Sequence, residues 1–310
     1  MSIFTPHVGM MLSIESTAYE FLPHPLFPDD ESEVFVTEGG EALVYQLRDC
    51  SNARLYALKV MKPAYRSEQC ARVANALIVH KDAPGMFLGH RLCLTKENSS
   101  DVIALYPDLL YATLMPWLTS QTWAGLLQDA TASAAYTPAK AHRIATATAN
   151  VLAYLEAHNL AHTDIAGGNI LLAPDYQWVE LLDIEGIYLP NMPTPTWRSQ
   201  GSPGYQHRTL DERGQWRLDG DRFAGAILLT EMLTWWNPLV RAHTADDAET
   251  LFAADELQKS DFPRWHAVRN TLWRMNPMLL SLFDQAWTSS DLAQCPKLSS
   301  WATQLLPYRK

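Results

Sequence analysis

Residues 161–172 read Ala161-His162-Thr163-Asp164-Ile165-Ala166-Gly167-Gly168-Asn169-Ile170-Leu171-Leu172. A helical pattern from Lys140 to His158 precedes this stretch and an apolar, strand-like run follows it, so Asp164 and Asn169 share one tight loop. Such a loop offers a carboxylate that can accept or orient a hydroxyl proton. Five residues on, it offers an amide oxygen that can reach a cation beside it. The bland alternative is a polar turn closed by Gly167-Gly168 with a capping Asp, and the pattern alone does not decide between the two. Downstream, Val179-Glu180-Leu181-Leu182-Asp183-Ile184-Glu185-Gly186 ends an apolar strand on an acid, which suits a hard cation and equally suits an ordinary strand-terminating turn.

Upstream the texture is that of strands. Val34-Phe35-Val36, Leu43 to Leu47 and Leu55 to Val60 predict three strands, with turns over Thr37 to Glu41 and around Asp49 to Asn52. Gly39-Gly40 lies in the first turn, and Lys59 lies among Ala57, Leu58 and Val60, where a charge in an apolar strand needs a reason. Backbone N–H groups of a Gly-rich hairpin can lie over phosphates, and a lysine on the next strand can reach them. A helix is predicted over Ser67 to His80, ended by Pro84-Gly85. Beyond Tyr111 the pattern is mostly helical, with Phe223 to Trp235 a second strong helix. Strands first and helices later predict an α+β chain of two lobes, a small β-rich N-lobe and a larger helical C-lobe. The expected divisions are an N-terminal extension over 1–33, an N-lobe with hinge over 34–118 and a C-lobe over 119–310. The extension ends in the acids Asp29, Asp30, Glu31 and Glu33, and its apolar residues, Phe21 among them, are expected to pack on the body.

Composition narrows the functional classes. The 310 residues carry a net charge of −10, which argues against a broadly basic nucleic-acid surface. Eleven Trp, 12 Tyr and 9 Phe are too many for a disordered chain. Cys50, Cys70, Cys93 and Cys295 form no C-x-x-C pair, so neither a zinc cluster nor a disulfide framework is expected, and a reducing cytoplasm fits. No Lys or Arg precedes Arg48, so the basic flank of a signal peptide is missing. The uncharged stretch between Asp108 and Asp129 contains Pro116, Gln121 and Gln128 and reads as buried core rather than a membrane span.

Taken in order, these motifs resemble the bacterial Ser/Thr protein-kinase-like family, from about Val34 to the C-terminus. The resemblance implies a two-lobed protein-kinase-like fold and an enzyme that moves the γ-phosphoryl group of ATP, with Mg²⁺ or Mn²⁺, to Ser or Thr of an unknown protein substrate. It implies Lys59 on the α- and β-phosphates, Asp164 as base, and Asn169 and Asp183 as metal ligands. It implies a nucleotide site of Gly39, Gly40, Val44, Ala57 and Leu171, with a hinge at Pro116-Trp117-Leu118 and Met115 at its entrance. Gly201 to Tyr205 resembles the substrate-docking end of an activation segment, and Asp221 the acid that bonds the catalytic-loop backbone. Ser199, Ser202, Thr194 and Thr196 are candidate autophosphorylation sites. A phosphatase or a von Willebrand-type domain protein is the kind of partner that the resemblance implies, with neither nucleic acid nor membrane.

Several positions depart from that family. The Gly-rich loop keeps Gly39 but has Ala42 at its end. Thr163 replaces the usual Arg, and Ala166 the lysine that steadies the transferred group. His207-Arg208-Thr209 replaces Ala-Pro-Glu, and Lys297 stands where its Arg partner is sought. For the acid that pairs with Lys59, the candidates are Glu68, Glu41 or none. Two alternatives therefore stay open, a nucleotide-binding pseudokinase scaffold and a small-molecule phosphotransferase of the aminoglycoside or choline kinase type.

Overall fold

Alternating apolar residues fold the first third of the chain into one antiparallel sheet. The computed structural model describes residues 4–27, 33–195, 198–212, 214–242 and 250–306. Five of its strands are β1 (Met11–Ile14), β2 (Thr17–Phe21), β3 (Val36–Glu38), β4 (Ala42–Asp49) and β5 (Leu55–Met61). β6 (Leu92–Cys93) and β7 (Thr113–Pro116) complete the seven, in the order β1-β2-β4-β5-β7-β6 with β3 beside β4. One face sends Tyr45, Leu47, Leu58, Val60 and Leu114 into a core shared with Phe4, Leu12, Ile14 and Phe21. The opposite face is covered at one end by α1 (Gln69–Leu77), through Cys70, Ala71 and Ala74 against Ala42 and Met61. A short helix α2 (Ser100–Leu105) adds Val102 to the first core.

Residues 1–33 are not an appendage. Residues 11–21 supply two strands of the sheet, and Phe4 packs edge-on against Tyr45 and Tyr106 with centroids 5.9 and 5.3 Å apart. The strand expected over Val34 to Val36 runs over Val36–Glu38, so the turn narrows to Gly39–Glu41. Thr113–Pro116 is a strand inside a region read as helical. Four residues ending in Pro are too few to show a period of two, and pairing on both edges sustains them. Asp29, Asp30, Glu31 and Thr196 lie outside the described residues.

The chain divides into two compact units, Met1–Asp82 with Phe87–Thr119, and Ala83–Met86 with Ser120–Lys310. The second is helical apart from the hairpin of β8 (Ile170–Leu172) and β9 (Val179–Leu181). Its helices are α3 (Trp123–Gln128), α4 (Ala130–Ala134), α5 (Pro138–Ala157), α6 (Asp221–Thr234), α7 (Pro238–Arg241), α8 (Pro263–Met275), α9 (Pro277–Thr288) and α10 (Leu298–Leu305). α5 starts where Thr137 accepts from the Lys140 N–H and Pro138 presets the first turn, and it buries Ala141, Ile144, Ala145, Thr148 and Leu152 on one stripe. α6 is apolar nearly all round and buries every residue except Arg222, as a helix enclosed by others must. Among the described residues, no helix is long and apolar enough to cross a membrane. The coarse expectation of an α+β chain with a sheet part and a helical part is met.

Truncating Phe21, which is fully buried, to Ala is expected to lower the unfolding free energy by about 3–5 kcal/mol. Urea denaturation of the full chain measures this, and an unchanged midpoint would show that the N-terminal strands contribute nothing to the core.

Candidate functional site

The loop quoted first is seated on a buried carboxylate. Asp221, the first residue of α6, accepts from the backbone N–H of His162 at 2.5 Å and of Thr163 at 2.7 Å. Burial pushes the Asp221 carboxyl above its ordinary value, against the pull of these donors. Thr163 has φ +70°, a conformation that costs a β-branched residue about 1–3 kcal/mol. Three bonds fix the turn: the N–H groups of His162 and Thr163 on Asp221, and the Thr163 hydroxyl donating to Gly186 O at 2.9 Å. The His162 Nδ1 accepts from the Asp164 N–H at 3.3 Å, so Nε2 carries the proton and donates to Leu182 O at 2.7 Å. One imidazole thus ties the loop to the end of β9.

The β8–β9 hairpin brings together the groups that the sequence placed apart. Ile170 pairs with Leu181, and one step beyond it the Leu182 N–H donates to Asn169 O at 2.9 Å. Asn169 and Asp183 therefore lie at the same end of one ladder. The Asn169 amide nitrogen donates to Asp164 O at 2.9 Å, which leaves its oxygen as the atom for a cation. Asp183 is exposed and sits in the left-handed region, φ +57°, where the chain turns out of β9. Asp164, Asn169 and Asp183 all line a cavity of about 560 Å³. No cluster of three or more His, Cys, Asp or Glu side chains able to hold a metal occurs among the described residues. The Asp183 carboxylate and the Asn169 amide oxygen instead suit a hard cation such as magnesium that keeps several of its waters.

The opposite wall comes from residues 201–205. The Ser202 hydroxyl donates to Asp164 Oδ1 at 2.9 Å. Gly201 has φ +85°, and a Cβ there would meet the Gln215 amide at 2.1 Å, so only glycine fits the bend that delivers Ser202. Beneath this wall lies Glu231, fully buried in α6. Its carboxylate accepts from the Trp123 indole N–H and from the Tyr205 hydroxyl, the latter at 2.8 Å, and from the Leu251 N–H. Burial raises its pKa to about 7, although all three donors oppose the shift. Gly167 packs so tightly on Trp123 and Tyr205 that a Cβ would stand 3.0 and 3.2 Å from them. The loop over 162–169, α3 and residues 201–205 thus rest on one buried acid.

Residues 207–209, where both partners of the family's ion pair are replaced, are anchored by other contacts. The Arg208 guanidinium donates to Trp287 O and Ser289 O, both at 2.9 Å, closing the carbonyl end of α9. His207 Nδ1 accepts from the Thr209 N–H, so its Nε2–H donates to Ser289 Oγ at 3.0 Å. Burial, with the Arg208 charge, holds His207 below the ordinary histidine range.

In the first unit, strand register collects the predicted nucleotide-site residues. Val44 faces Lys59, Lys59 faces Thr113 and Ala57 faces Met115, so all five share one face of the sheet. Lys59 is only 8 % exposed there. Neither Gly39 nor Gly40 has positive φ, and a Cβ at Gly40 would meet nothing within 4 Å. The fold therefore does not demand glycine at either position. Trp117 donates its N–H to Leu55 O at 3.0 Å and packs on Phe35, followed by the half-buried Leu118. Leu171 belongs to the second unit, buried on β8 and bridged to Thr122. Glu68 is not poised for Lys59: it is an exposed partner of Arg72 at 3.0 Å, one helical turn on.

No protein-family model matches the chain, and no curated protein matches it. Sequence reasoning missed Glu231, Trp123 and Arg208. Glu231 had a signal, being the one charge in the apolar run Ala226 to Leu233. Arg208 had none, because its acceptors are backbone carbonyls.

Because Glu231 binds its proton more tightly when folded, its contribution to stability is complete below about pH 4.5 and is lost as pH rises towards 7, by about 3 kcal/mol in all. Glu231→Gln is expected to flatten the stability profile across that window. Urea midpoints at a series of pH values test this, and an unchanged slope would rule it out.

Proposed function

We propose that the chain is an ATP- and Mg²⁺-dependent phosphotransferase of protein-kinase-like fold that acts on Ser or Thr hydroxyls of a protein. The observation that carries this reading is the Asp164 carboxylate, which holds a serine hydroxyl at 2.9 Å in the cavity that Asn169 and Asp183 also line. An acceptor hydroxyl in the place of Ser202 would give its proton to Asp164 as its oxygen bonds to the γ-phosphorus. The bond from that phosphorus to the bridging oxygen breaks, and ADP leaves. The metal, when bound, neutralises charge on the phosphate oxygens, with Asn169 and Asp183 as its ligands. Lys59, buried beside Val44 and Ala57, would meet the α- and β-phosphates, and the adenine would lie on the apolar part of that face.

A second reading rests on a specific feature. Among the described residues, no Lys or Arg lines the cavity at Asp164, and Ala166 is buried where a cation would steady the transferred group. A nucleotide-binding scaffold without transfer fits that.

Intact-mass spectrometry after incubation with ATP and Mg²⁺ or Mn²⁺ separates the readings, with Asp164→Ala and Asp183→Ala alongside. Added phosphate is expected in the wild-type protein and in neither variant. Nucleotide binding without transfer to the chain or to a generic protein acceptor would favour the scaffold. No nucleotide binding at all would overturn both.

A further inference from the structure

The first unit has a concave feature of its own, lined by none of the residues assigned above to the candidate site. A cavity of about 510 Å³ runs along β1 and is walled on its other side by α2. Its lining includes Met11 and Ser13 from one face of β1 and Leu12 from the other, as a groove along a strand edge must.

The edge is open for pairing. Glu15 and Ser16, with φ of +46° and +68°, form a two-residue hairpin turn, so Ile14 and Thr17 are its hydrogen-bonded pair. Alternation then directs the N–H and C=O of Leu12 towards Tyr19, and those of Met11 and Ser13 away from β2. Among the described residues no strand lies on that outer side, and neither the Met11 nor the Ser13 N–H donates to another backbone group. Ser99, 6 % exposed and part of the groove lining, has a buried hydroxyl with no hydrogen-bond partner. A buried hydroxyl left unpaired is costly unless something reaches it. Met11 and Leu105 leave apolar surface at the groove, 52 % and 74 % exposed.

Charge selects the occupant. Glu15 and Asp101 are exposed at the groove, and no Lys or Arg lines it. A second copy of β1 would bring the same acids against each other in a protein already at −10. We propose that this edge is a docking site for an extended, basic segment of a partner protein, which adds to β1 as a further strand. Backbone bonds to Met11 and Ser13 supply register, apolar side chains lie on Leu105 and Met11, and cations meet Glu15 and Asp101. The site is independent of the phosphotransfer reading, so either can fail alone.

The test uses the full chain and two blocked peptides, Lys-Val-Lys-Val-Lys-Val-Lys and its Glu-Val counterpart. Affinity is read by fluorescence anisotropy, and amide protection by hydrogen exchange. The lysine peptide is expected to bind at least about tenfold tighter than the glutamate peptide, to weaken with salt, and to protect the Met11 and Ser13 amides. Ser13→Pro removes an outward N–H while sparing the β1–β2 ladder, and should weaken binding by about tenfold without moving the melting temperature. The surface variant Glu15→Gln with Asp101→Asn should weaken it without any backbone change. Equal binding of the two peptides, no binding of the lysine peptide, or protection elsewhere would overturn the proposal. So would a wild-type dimer in sedimentation that Ser13→Pro dissociates, which would make the occupant a second copy.

Discussion

The bond pair from the Asp221 carboxylate to the N–H groups of His162 and Thr163 is the constraint on which the candidate site depends. Both donors are backbone groups, so the bonds fix the path of the chain rather than the pose of one side chain. They hold Thr163 where a threonine does not go unaided, and the turn made there sets the direction in which Asp164 leaves. They also leave the His162 ring free to reach the end of β9. Asp221 can do this because it opens a helix that is buried on almost every side. A carboxylate in that place has little water to compete for it, and the two N–H groups offset part of its desolvation.

The same helix carries Glu231 near its other end. The two acids have similar burial and different partners. Asp221 holds a loop by its main chain. Glu231 gathers an indole, a phenol and one N–H from three separate segments. The first arrangement fixes the path of the loop that carries Asp164. The second supports the wall formed by residues 201–205. A single buried helix thus sets the spacing between that loop and that wall.

Much of this was legible in residue order, and the part that was not has physical reasons. Asp164, Asn169 and Asp183 stood out because polar residues ended apolar runs, and one hairpin register brings the last two together. Lys59 stood out because a charge interrupted a strand, and the register puts it on one face of the sheet with Val44, Ala57 and Met115. The N-terminal strands were obscure because their prolines broke the pattern while Phe4, Leu12 and Phe21 still found a common core. β7 was obscure because four residues cannot show a period. The sequence marks Ser202 as part of the 201–205 stretch and as a candidate modification site, whereas its hydroxyl is held on Asp164, a pairing that no local pattern encodes. The tether at Arg208 was invisible for a related reason, since any residue type can offer a carbonyl.

That tether differs in kind from an ion pair. A guanidinium held by an acid lets go when the acid takes up a proton, and dissolved ions compete for both partners. The acceptors here are backbone carbonyl oxygens, which do not titrate between mild acid and mild base. The Arg208 contact with α9 therefore needs no ionised acid as its partner. Its grip depends on α9 staying wound to its last turn, so fraying of that helix is what would release it.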